Sequence, residues 1–321
     1  MSLLTALIYL LVGFVLLVWS ADRLVAGASA LARNFGVSAL VVGVTIVGFG
    51  TSAPEMVVSA LASLEGNPSL AVGNALGSNI ANIALILGLT GLVYPMTVER
   101  STRKREFPLL AIVTVGTGVL MVNGYLSRLD GLILAAGLAV FLGAMIYRGK
   151  HSSQVDSSTQ ALMSEIASEM STRSASIWTG VGLVVLPLSA QILVNGAIGL
   201  AGLMGVSEAV IGLTIVALGT SLPELAAAIA SAIRREDDLC IGNILGSNLF
   251  NLLGVLGIAA LIHPMVIERI LIVRDLPVMA LTFVMLAAMA YFAGRVGRLS
   301  SALLLVTYVV YQVMVFREAL G

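Results

Sequence analysis

The chain has 321 residues, of which 59% are hydrophobic and 11% are charged, and its mean hydropathy is +1.04. Soluble domains are about half apolar and about a quarter charged, so this composition excludes a water-soluble enzyme, a disordered protein and a nucleic-acid-binding protein. The 17 Lys and Arg residues balance the 17 Asp and Glu residues, so no global field attracts a polyanion. The composition therefore indicates a membrane protein.

Ten apolar segments follow one another along the chain. A membrane-spanning helix needs about 20 residues, whereas a β-barrel strand is about ten residues of alternating polarity, so these continuous runs favour helices. The predicted spans are Leu3–Ser20 (extending as far as Ala32 if the polar residues beyond Ser20 stay helical), Ala39–Leu64, Leu70–Leu92, Phe107–Val122, Gly131–Tyr147, Ile177–Val194, Val210–Ile233, Leu239–Ile262, Leu276–Phe292 and Ala302–Phe316. We expect an all-α membrane protein with ten transmembrane helices.

The positive residues in the loops predict how these spans are oriented. If the loops after the first, third, fifth, seventh and ninth spans share one side, that side holds 13 of the 17 Lys and Arg residues. The larger share marks the cytoplasmic side, which places both termini outside the cytoplasm and makes residues 150–176 a cytoplasmic linker. We therefore expect a multi-pass protein of the inner (plasma) membrane.

The two halves of the sequence repeat each other at a constant offset, which pairs Glu55 with Glu224. GTSAPE at residues 50–55 recurs as GTSLPE at 219–224, and GNALGSNIAN at 73–82 recurs as GNILGSNLFN at 242–251. About 30 of 73 positions are identical when residues 36–108 are aligned without a gap to the second copy. Chance matching of hydrophobic residues would not keep Pro, Glu and Asn in register, so we interpret the halves as a duplication.

Each copy contains five spans, and an odd number places the second copy in the membrane upside down. Inverted repeats with interrupted helices are typical of transporters whose site lies between the halves. The predicted units are a first repeat at 1–149 with its motif region at 43–88, the linker, and a second repeat at 177–321 with its motif region at 212–257. Helices two and seven are expected to be broken.

Both motif regions place a glutamate beside a predicted helix break. Pro54 lacks an N–H group and disfavours helix in the residue before it, so the second span should break near Thr51–Ala53. A break leaves backbone carbonyls that lipid cannot satisfy but a cation can. A charge inside a span costs about 2.5–3.5 kcal/mol or more, yet Glu55 recurs as Glu224. We interpret the two glutamates, with neighbouring hydroxyls, as an all-oxygen site for a hard cation such as Ca²⁺ rather than as protonated structural residues.

A polar stripe accompanies each glutamate in the following span. Ser78 and Asn82 are four residues apart and share a helix face, and Ser247 and Asn251 repeat the arrangement. Such residues also join transmembrane helices, but beside the glutamates we favour ligands or supports of the carboxylates. The asparagines that follow the serines point elsewhere and are expected to pack or cap: Asn79 and Asn248.

These motifs resemble the two α-repeats of the cation/calcium exchanger superfamily. Their Gly-Thr-Ser-x-Pro-Glu form is closer to the sodium/calcium exchanger branch, including small bacterial members, than to the proton/calcium branch. The resemblance implies that spans two, three, seven and eight surround adjacent cation sites and that spans one and six slide as a gate. It implies side-chain ligands at Thr51, Ser52, Glu55, Ser78, Asn82, Thr220, Ser221, Glu224, Ser247 and Asn251, together with the carbonyls of Gly48 and Ala217. Some relatives carry Asp where this chain has Asn82 or Asn251.

The function predicted from these features is sodium/calcium antiport, with Na⁺ and Ca²⁺ as transported substrates, no cofactor and no enzymatic activity. Proton-coupled calcium exchange is an alternative, because both glutamates could accept protons. A cation channel with the glutamates as its filter is a third candidate, although the inverted repeat and the helix breaks argue against it. The expected partners are inorganic cations and the lipid bilayer, without nucleic acid. The oligomeric state is left open.

Overall fold

The computed structural model describes residues 2–66, 68–152, 170–204 and 217–320, which are almost entirely helical. Within these residues, seven helices are long and apolar enough to cross a membrane, and a bent pair of helices makes eight if it is counted as one span. The helices are α1 (Leu3–Phe35), α2 (Ala39–Thr51), α3 (Ala53–Leu64), α4 (68–93), α5 (Arg100–Met121), α6 (Arg128–Ser152), α7 (Thr172–Leu203), α8 (Ala217–Gly219), α9 (Leu222–Ile233), α10 (Asp237–Ile262), α11 (Leu271–Ala293) and α12 (Arg298–Leu320). The predicted class, an all-α membrane protein, is confirmed.

Two parts of the predicted ten-span layout fall outside these eight spans. Helix α5 begins seven residues before the predicted span, and its first turns carry the charged run from Arg100 to Glu106. The first part of the predicted seventh span lies in 205–216, outside the described residues, so only α8 and α9 represent it. Most of the predicted linker, residues 153–169, also lies outside them.

Helices α1 and α7 are much longer than the predicted spans, at 33 and 32 residues. The polar residues just after Trp19 resemble a helix end in the sequence, but two of them, Ser20 and Asp22, find partners within the fold. The Ser20 hydroxyl donates to the Leu16 carbonyl at 2.7 Å, and Asp22 pairs with Arg234 at 2.7 Å. The helix therefore continues to Phe35, where Gly36 ends it in the left-handed conformation with φ 64°.

Helices α1 and α7 pack closely at two glycines related by the repeat. A Cβ atom on Gly13 would lie 2.5 Å from the Leu193 nitrogen, and one on Gly182 would lie 2.5 Å from the Leu24 Cβ. The two glycines occupy equivalent positions of the repeat, and so do the two leucines. The sequence repeat therefore extends to the first helix of each half, and these two helices form a matched pair.

Helices α4 and α10 form the centre of the molecule. Their most apolar 18-residue windows are 72% and 89% buried, whereas those of α1, α6, α7, α11 and α12 are 22–33% buried. Both central helices widen into a π-helical turn at equivalent places, Ala81–Leu87 and Phe250–Val255. Such turns often accompany functional sites.

Two short antiparallel ribbons join the halves. Strand β1 (Met96–Thr97) pairs with β4 (Arg295–Val296), and β2 (Tyr125–Leu126) pairs with β3 (Met265–Val266). Each ribbon combines one strand from each half. The 22-residue helix α5 separates β1 from β2 by about 33 Å at 1.5 Å per residue, so the ribbons lie at opposite ends of the bundle.

Further contacts gather the remaining loops at the end that holds β1. Arg33, at the end of α1, pairs with Glu236 after α9 at 3.0 Å. The Thr97 amide and hydroxyl both donate to Asp237 at 2.8 Å, and Asn34 donates to the Met170 carbonyl before α7 at 3.2 Å. The loops that were predicted to share one side of the membrane thus meet at one end.

Candidate cation site

The site is built on two helix breaks, one in each half. Helices α2 and α3 meet at an angle of 44°, and the residue between them, Ser52, has φ −84° and ψ 2°. Ser221 occupies the equivalent place before α9, with φ −90° and ψ 5°. In each half a proline sits in the first turn of the helix after the break, where its missing N–H group is no loss. The first break lies where the sequence predicts it.

Glu55 and Glu224 lie in the first turns of α3 and α9 and are fully buried, each with 0% of its surface exposed. A helix N-terminus stabilises a carboxylate there through the unpaired N–H groups and the helix dipole. Each carboxylate also accepts a hydrogen bond from the opposite half: Ser52 Oγ donates to Glu224 Oε1 at 3.0 Å, and Ser221 Oγ donates to Glu55 Oε1 at 3.5 Å. The two breaks therefore face each other.

The second oxygen of each glutamate has no hydrogen-bond partner among the described residues. Glu55 Oε2 and Glu224 Oε2 are buried and unpaired, and so are the amide oxygens Asn82 Oδ1 and Asn251 Oδ1. Leaving a buried acceptor unpaired is costly, and more so when it is charged. Two carboxylate and two amide oxygens, one of each from each half, are thus available to a cation.

The threonines of the two motifs differ in their contacts. Thr51 Oγ1 donates to Asn243 Oδ1 at 3.0 Å and lies 3.3 Å from Ser247 Oγ, which ties the first break to α10. Thr220 Oγ1 is buried without a hydrogen-bond partner among the described residues. At the threonines, the hydrogen bonds of the described residues therefore do not follow the symmetry of the sequence.

The remaining predicted ligands lie on the same elements. Ser78 is 5% exposed and precedes Asn82 by about one turn of α4. The Gly48 carbonyl accepts the Ser52 N–H at 3.1 Å, whereas the equivalent Ser221 N–H reaches Leu218 rather than Ala217. The Ala217 carbonyl therefore does not accept the hydrogen bond that corresponds to the one at Gly48.

Asn74 and Asn243 belong to the site region but are absent from the predicted set. Asn243 accepts the Thr51 hydroxyl, and Asn74 donates to the Glu55 carbonyl at 3.3 Å and to Ser59 Oγ at 3.0 Å. A signal was available, because each asparagine precedes its motif serine by four residues and shares that helix face. The predicted stripe of each span began at the serine and left out the asparagine four residues before it.

A cavity of about 450 Å³ adjoins the site between α3, α7 and the start of α9. It reaches Thr220 and Pro54 at the two breaks, and its polar lining includes Gln191 of α7. The α3 residues that line it lie between the break and the end of the bundle opposite β1. The cavity thus extends from the breaks toward that end.

The acidic residues of the site are few. In the ranges that the structure describes, no three His, Cys, Asp or Glu side chains are placed to hold one metal ion. A cation at the breaks would therefore be held by two carboxylates and by neutral oxygens, the set that suits hard ions such as Ca²⁺ and Na⁺.

Comparison with known proteins gives consistent matches over the whole length. The family described as sodium/calcium exchanger protein matches residues 5–147 and 174–317. The chain is 44% identical over 317 residues to "Putative antiporter CaxA" of Alkalimonas amylolytica, covering 98% of this chain and 99% of that protein. It is 41% identical over 319 residues to "Inner membrane protein YrbG" of Escherichia coli, covering 98% of each.

The fold also matches a solved structure. The sodium-calcium exchanger NCX_Mj, soaked with Na⁺ and Sr²⁺, superposes with a TM-score of 0.84 at 29% identity, covering 96% of this chain and 98% of that one. The family match covers most of the chain, the two relatives named above exceed 40% identity, and the solved exchanger has the same fold. The chain belongs to the sodium/calcium exchanger protein family.

Proposed function

We propose that the protein is a sodium/calcium antiporter that couples Ca²⁺ transport to a Na⁺ gradient. The observation that carries this proposal is the pair of fully buried glutamates, one from each half, each held by a serine of the other half and each keeping one unpaired oxygen. Two carboxylates supply a charge of −2, which matches one Ca²⁺ or two Na⁺. Because the same charges would serve either ion, the ions compete, and competition for one site couples their movements.

The proposed ligand set extends from the glutamates to the neutral oxygens around them. Asn82 and Asn251 offer unpaired amide oxygens, and the hydroxyls at the two breaks lie within a few residues of the carboxylates along the chain. The full set is Glu55, Glu224, Thr51, Ser52, Thr220, Ser221, Ser78, Ser247, Asn82 and Asn251, with the backbone carbonyls of Gly48 and Ala217.

The proposed architecture is ten spans in two inverted repeats, residues 1–149 and 177–321, joined by a cytoplasmic linker at 150–176. It requires that α5 cross the membrane and that α8 and α9, with the residues before them, form a second broken span. The ribbons that exchange strands between the halves, and the packing glycines at equivalent positions of α1 and α7, support this symmetry. The excess of Lys and Arg at the β1 end supports a cytoplasmic location for that end.

The proposed transport cycle is alternating access, with α1 and α7 moving together across the central helices. Their mutual packing at paired glycines supports motion as one unit. The cavity between α3 and α7 extends from the breaks toward the end opposite β1, which the orientation places outside the cell. A shift of the pair would close this cavity and open a path at the other end.

The test is Ca²⁺ flux in proteoliposomes that contain the purified protein. An outward-directed Na⁺ gradient, with the membrane potential clamped, should drive Ca²⁺ uptake, and an equivalent proton gradient should not. Uptake driven only by protons would replace sodium coupling with proton coupling. Currents of single open channels would exclude antiport altogether.

A further inference from the structure

Four buried asparagines form a hydrogen-bonded network between α4 and α10. Asn82 Nδ2 donates to Asn248 Oδ1 at 3.2 Å, and Asn251 Nδ2 donates to Asn79 Oδ1 at 3.0 Å. Asn79 Nδ2 in turn donates to the Asn248 carbonyl at 3.3 Å. None of the four is more than 2% exposed. Asn79 and Asn248, expected from the sequence to pack or cap, instead connect the two halves.

In the network, the NH₂ group of each ligand amide is bonded to its partner and its oxygen is left free. Asn79 is itself held by its bond to the Asn248 carbonyl, whereas Asn248 Nδ2 has no hydrogen-bond partner among the described residues. An amide carries an NH₂ group that donates and an oxygen that accepts. In Asn82 and Asn251 the NH₂ group is held by the partner across the interface, and the oxygen is buried without a hydrogen-bond partner in the described part of the chain. Each amide is therefore turned so that its acceptor is available and its donor is occupied.

The arrangement follows the repeat symmetry. Asn248 and Asn79 are equivalent positions of the two repeats. Asn248 holds the amide of Asn82, and Asn79 holds the amide of Asn251, so the two bonds are also equivalent. Both oriented amides lie in the π-helical turns Ala81–Leu87 and Phe250–Val255. Two equivalent bonds in equivalent turns make a chance contact between helices a poor explanation.

We propose that Asn79 and Asn248 are positioning residues, which hold the Asn251 and Asn82 amides with their oxygens toward the transported cation. This inference rests on the proposed function, in which cations occupy the space between the glutamates. Without the partner, an amide is free to rotate by half a turn and to place its NH₂ group, which repels a cation, where the oxygen had been. A carboxylate at the same place would have an oxygen in either orientation and would not need the partner.

That difference between amide and carboxylate defines the experiment. The four proteins are wild type, Asn248→Leu, Asn82→Asp, and the double variant, each in proteoliposomes with a Na⁺ gradient. Loss of a group that orients a metal ligand commonly weakens metal binding by about 10- to 100-fold, so Asn248→Leu should raise the KM for Ca²⁺ by such a factor. In the Asn82→Asp background the same substitution should change KM little. The double-mutant cycle therefore isolates the coupling between the two residues.

A matched control separates positioning from general loss of packing. Thr282 is fully buried, and its hydroxyl donates to the Met279 carbonyl at 2.8 Å in a helix beside the network. Thr282→Val should lower thermal stability without raising KM. If Asn248→Leu is not recovered folded, Asn248→Ser, whose hydroxyl is too short to replace the amide, takes its place in the cycle.

Two results would overturn the proposal: an unchanged KM in Asn248→Leu, or the same increase in both backgrounds. Absence of Ca²⁺ flux in the wild type would instead contradict the proposed function. In that case the double-mutant cycle is measured with a binding assay instead of transport. The quantity compared is the increase in the unfolding temperature of each of the four proteins in detergent when Ca²⁺ or Na⁺ is added. Equal stabilisation of all four would contradict the positioning role.

Discussion

Glu55 and Glu224 each have one oxygen that is hydrogen-bonded and one that is not. The serine from the opposite half holds the first oxygen, so the carboxylate has a fixed orientation before any ion arrives. The unpaired second oxygen is buried, where a negative charge without a partner destabilises the fold. In the proposed function, a bound cation would offset that cost.

The first prediction concerns the charge of this pair. Glu55→Gln and Glu224→Gln should each abolish Ca²⁺ exchange, because one remaining negative charge faces a divalent ion. Each variant should fold, with a thermal stability in cation-free buffer equal to or above that of the wild type, since a buried unpaired charge has been removed. Flux in proteoliposomes and thermal unfolding measure the two effects.

Glu65→Gln is the matched control for these variants, because Glu65 is exposed at the end of α3 and should keep full exchange. Near-normal Ca²⁺ transport by either well-folded glutamine variant at 55 or 224 would remove the glutamates from the centre of the mechanism.

A second prediction follows from the same count of charges. A K⁺ ion bound beside Ca²⁺ would leave a net charge of +1 in a poorly solvated cavity, which is unfavourable. With amides at both Asn82 and Asn251, Ca²⁺ flux should not require potassium. Asn251→Asp adds a third carboxylate and should strengthen binding of an additional monovalent cation. Sodium-driven flux in potassium-free vesicles at clamped potential tests this; flux that returns only when K⁺ is added would contradict it.

The sequence predicts which residues are candidates for the site better than it predicts the contacts that those residues make. The glutamates, the hydroxyls at the breaks and the amides of α4 and α10 could be predicted, because a polar group in an apolar span is conspicuous. The partner of a side chain could not, since helical spacing gives a direction but not the residue on the neighbouring helix. Asn79 and Asn248 illustrate this: the sequence predicted that they pack or cap, but it did not predict their bonds across the halves.

At the scale of elements, the site depends on how closely α2 and α10 cross. A Cβ atom on Gly242 would lie 2.6 Å from the Leu40 carbonyl oxygen, and one on Gly43 would lie 2.6 Å from the Leu239 carbonyl oxygen. Real Cβ atoms do not approach backbone so closely, so the two helices touch only because both positions are glycine. The same crossing brings Thr51 within reach of Asn243.

The third prediction tests this crossing. Gly242→Ala should force the two helices apart and destabilise the protein by about 1–3 kcal/mol, seen as a lower unfolding temperature in detergent. Gly116→Ala is the control, because Gly116 lies on an exposed face of α5 with no described atom within 4 Å of the added Cβ. It should be neutral or stabilising, since alanine favours a helix over glycine. Equal stability of the two variants would show that the crossing is not close in the membrane.

The elements also show why some features of the fold are hidden in the sequence. Pro54 marks the first break because its missing N–H group acts locally. The length of α1 has no such local signal: its residue Asp22 pairs with Arg234, which is far away in the second half of the chain. The π-helical turns of α4 and α10 have no compositional signature, since one extra residue per turn changes the hydrogen bonding without requiring a particular side chain.

At the scale of the whole molecule, the halves are interlocked at the centre and at both ends. Each glutamate accepts a hydrogen bond from a serine of the opposite half, and the asparagines of α4 and α10 are hydrogen-bonded to one another. Each ribbon contains one strand from each half. Neither half completes the candidate site alone. In the proposed alternating access, this shared centre would stay in place while the peripheral pair α1 and α7 moves.

The last prediction decides whether α5 completes the layout of ten spans. Helix α5 is 22 residues long, or about 33 Å at 1.5 Å per residue, but its first seven residues carry the charged run, so only the last 15 residues, about 22 Å, are free of charge, against a bilayer core of about 30 Å. Its charged first turns lie at the β1 end, where the positive residues of the other loops also gather.

With Cys240 replaced by serine, Tyr125→Cys should react with an impermeant thiol reagent in intact cells. Arg100→Cys should react only after the membrane is opened, and so should Ser157→Cys in the linker, outside the described residues. Cys240 itself is fully buried, and serine is close to it in size, so the background without it should fold. Labelling of Tyr125→Cys and Arg100→Cys from the same face would mean that α5 does not cross, and five spans per half would then be impossible.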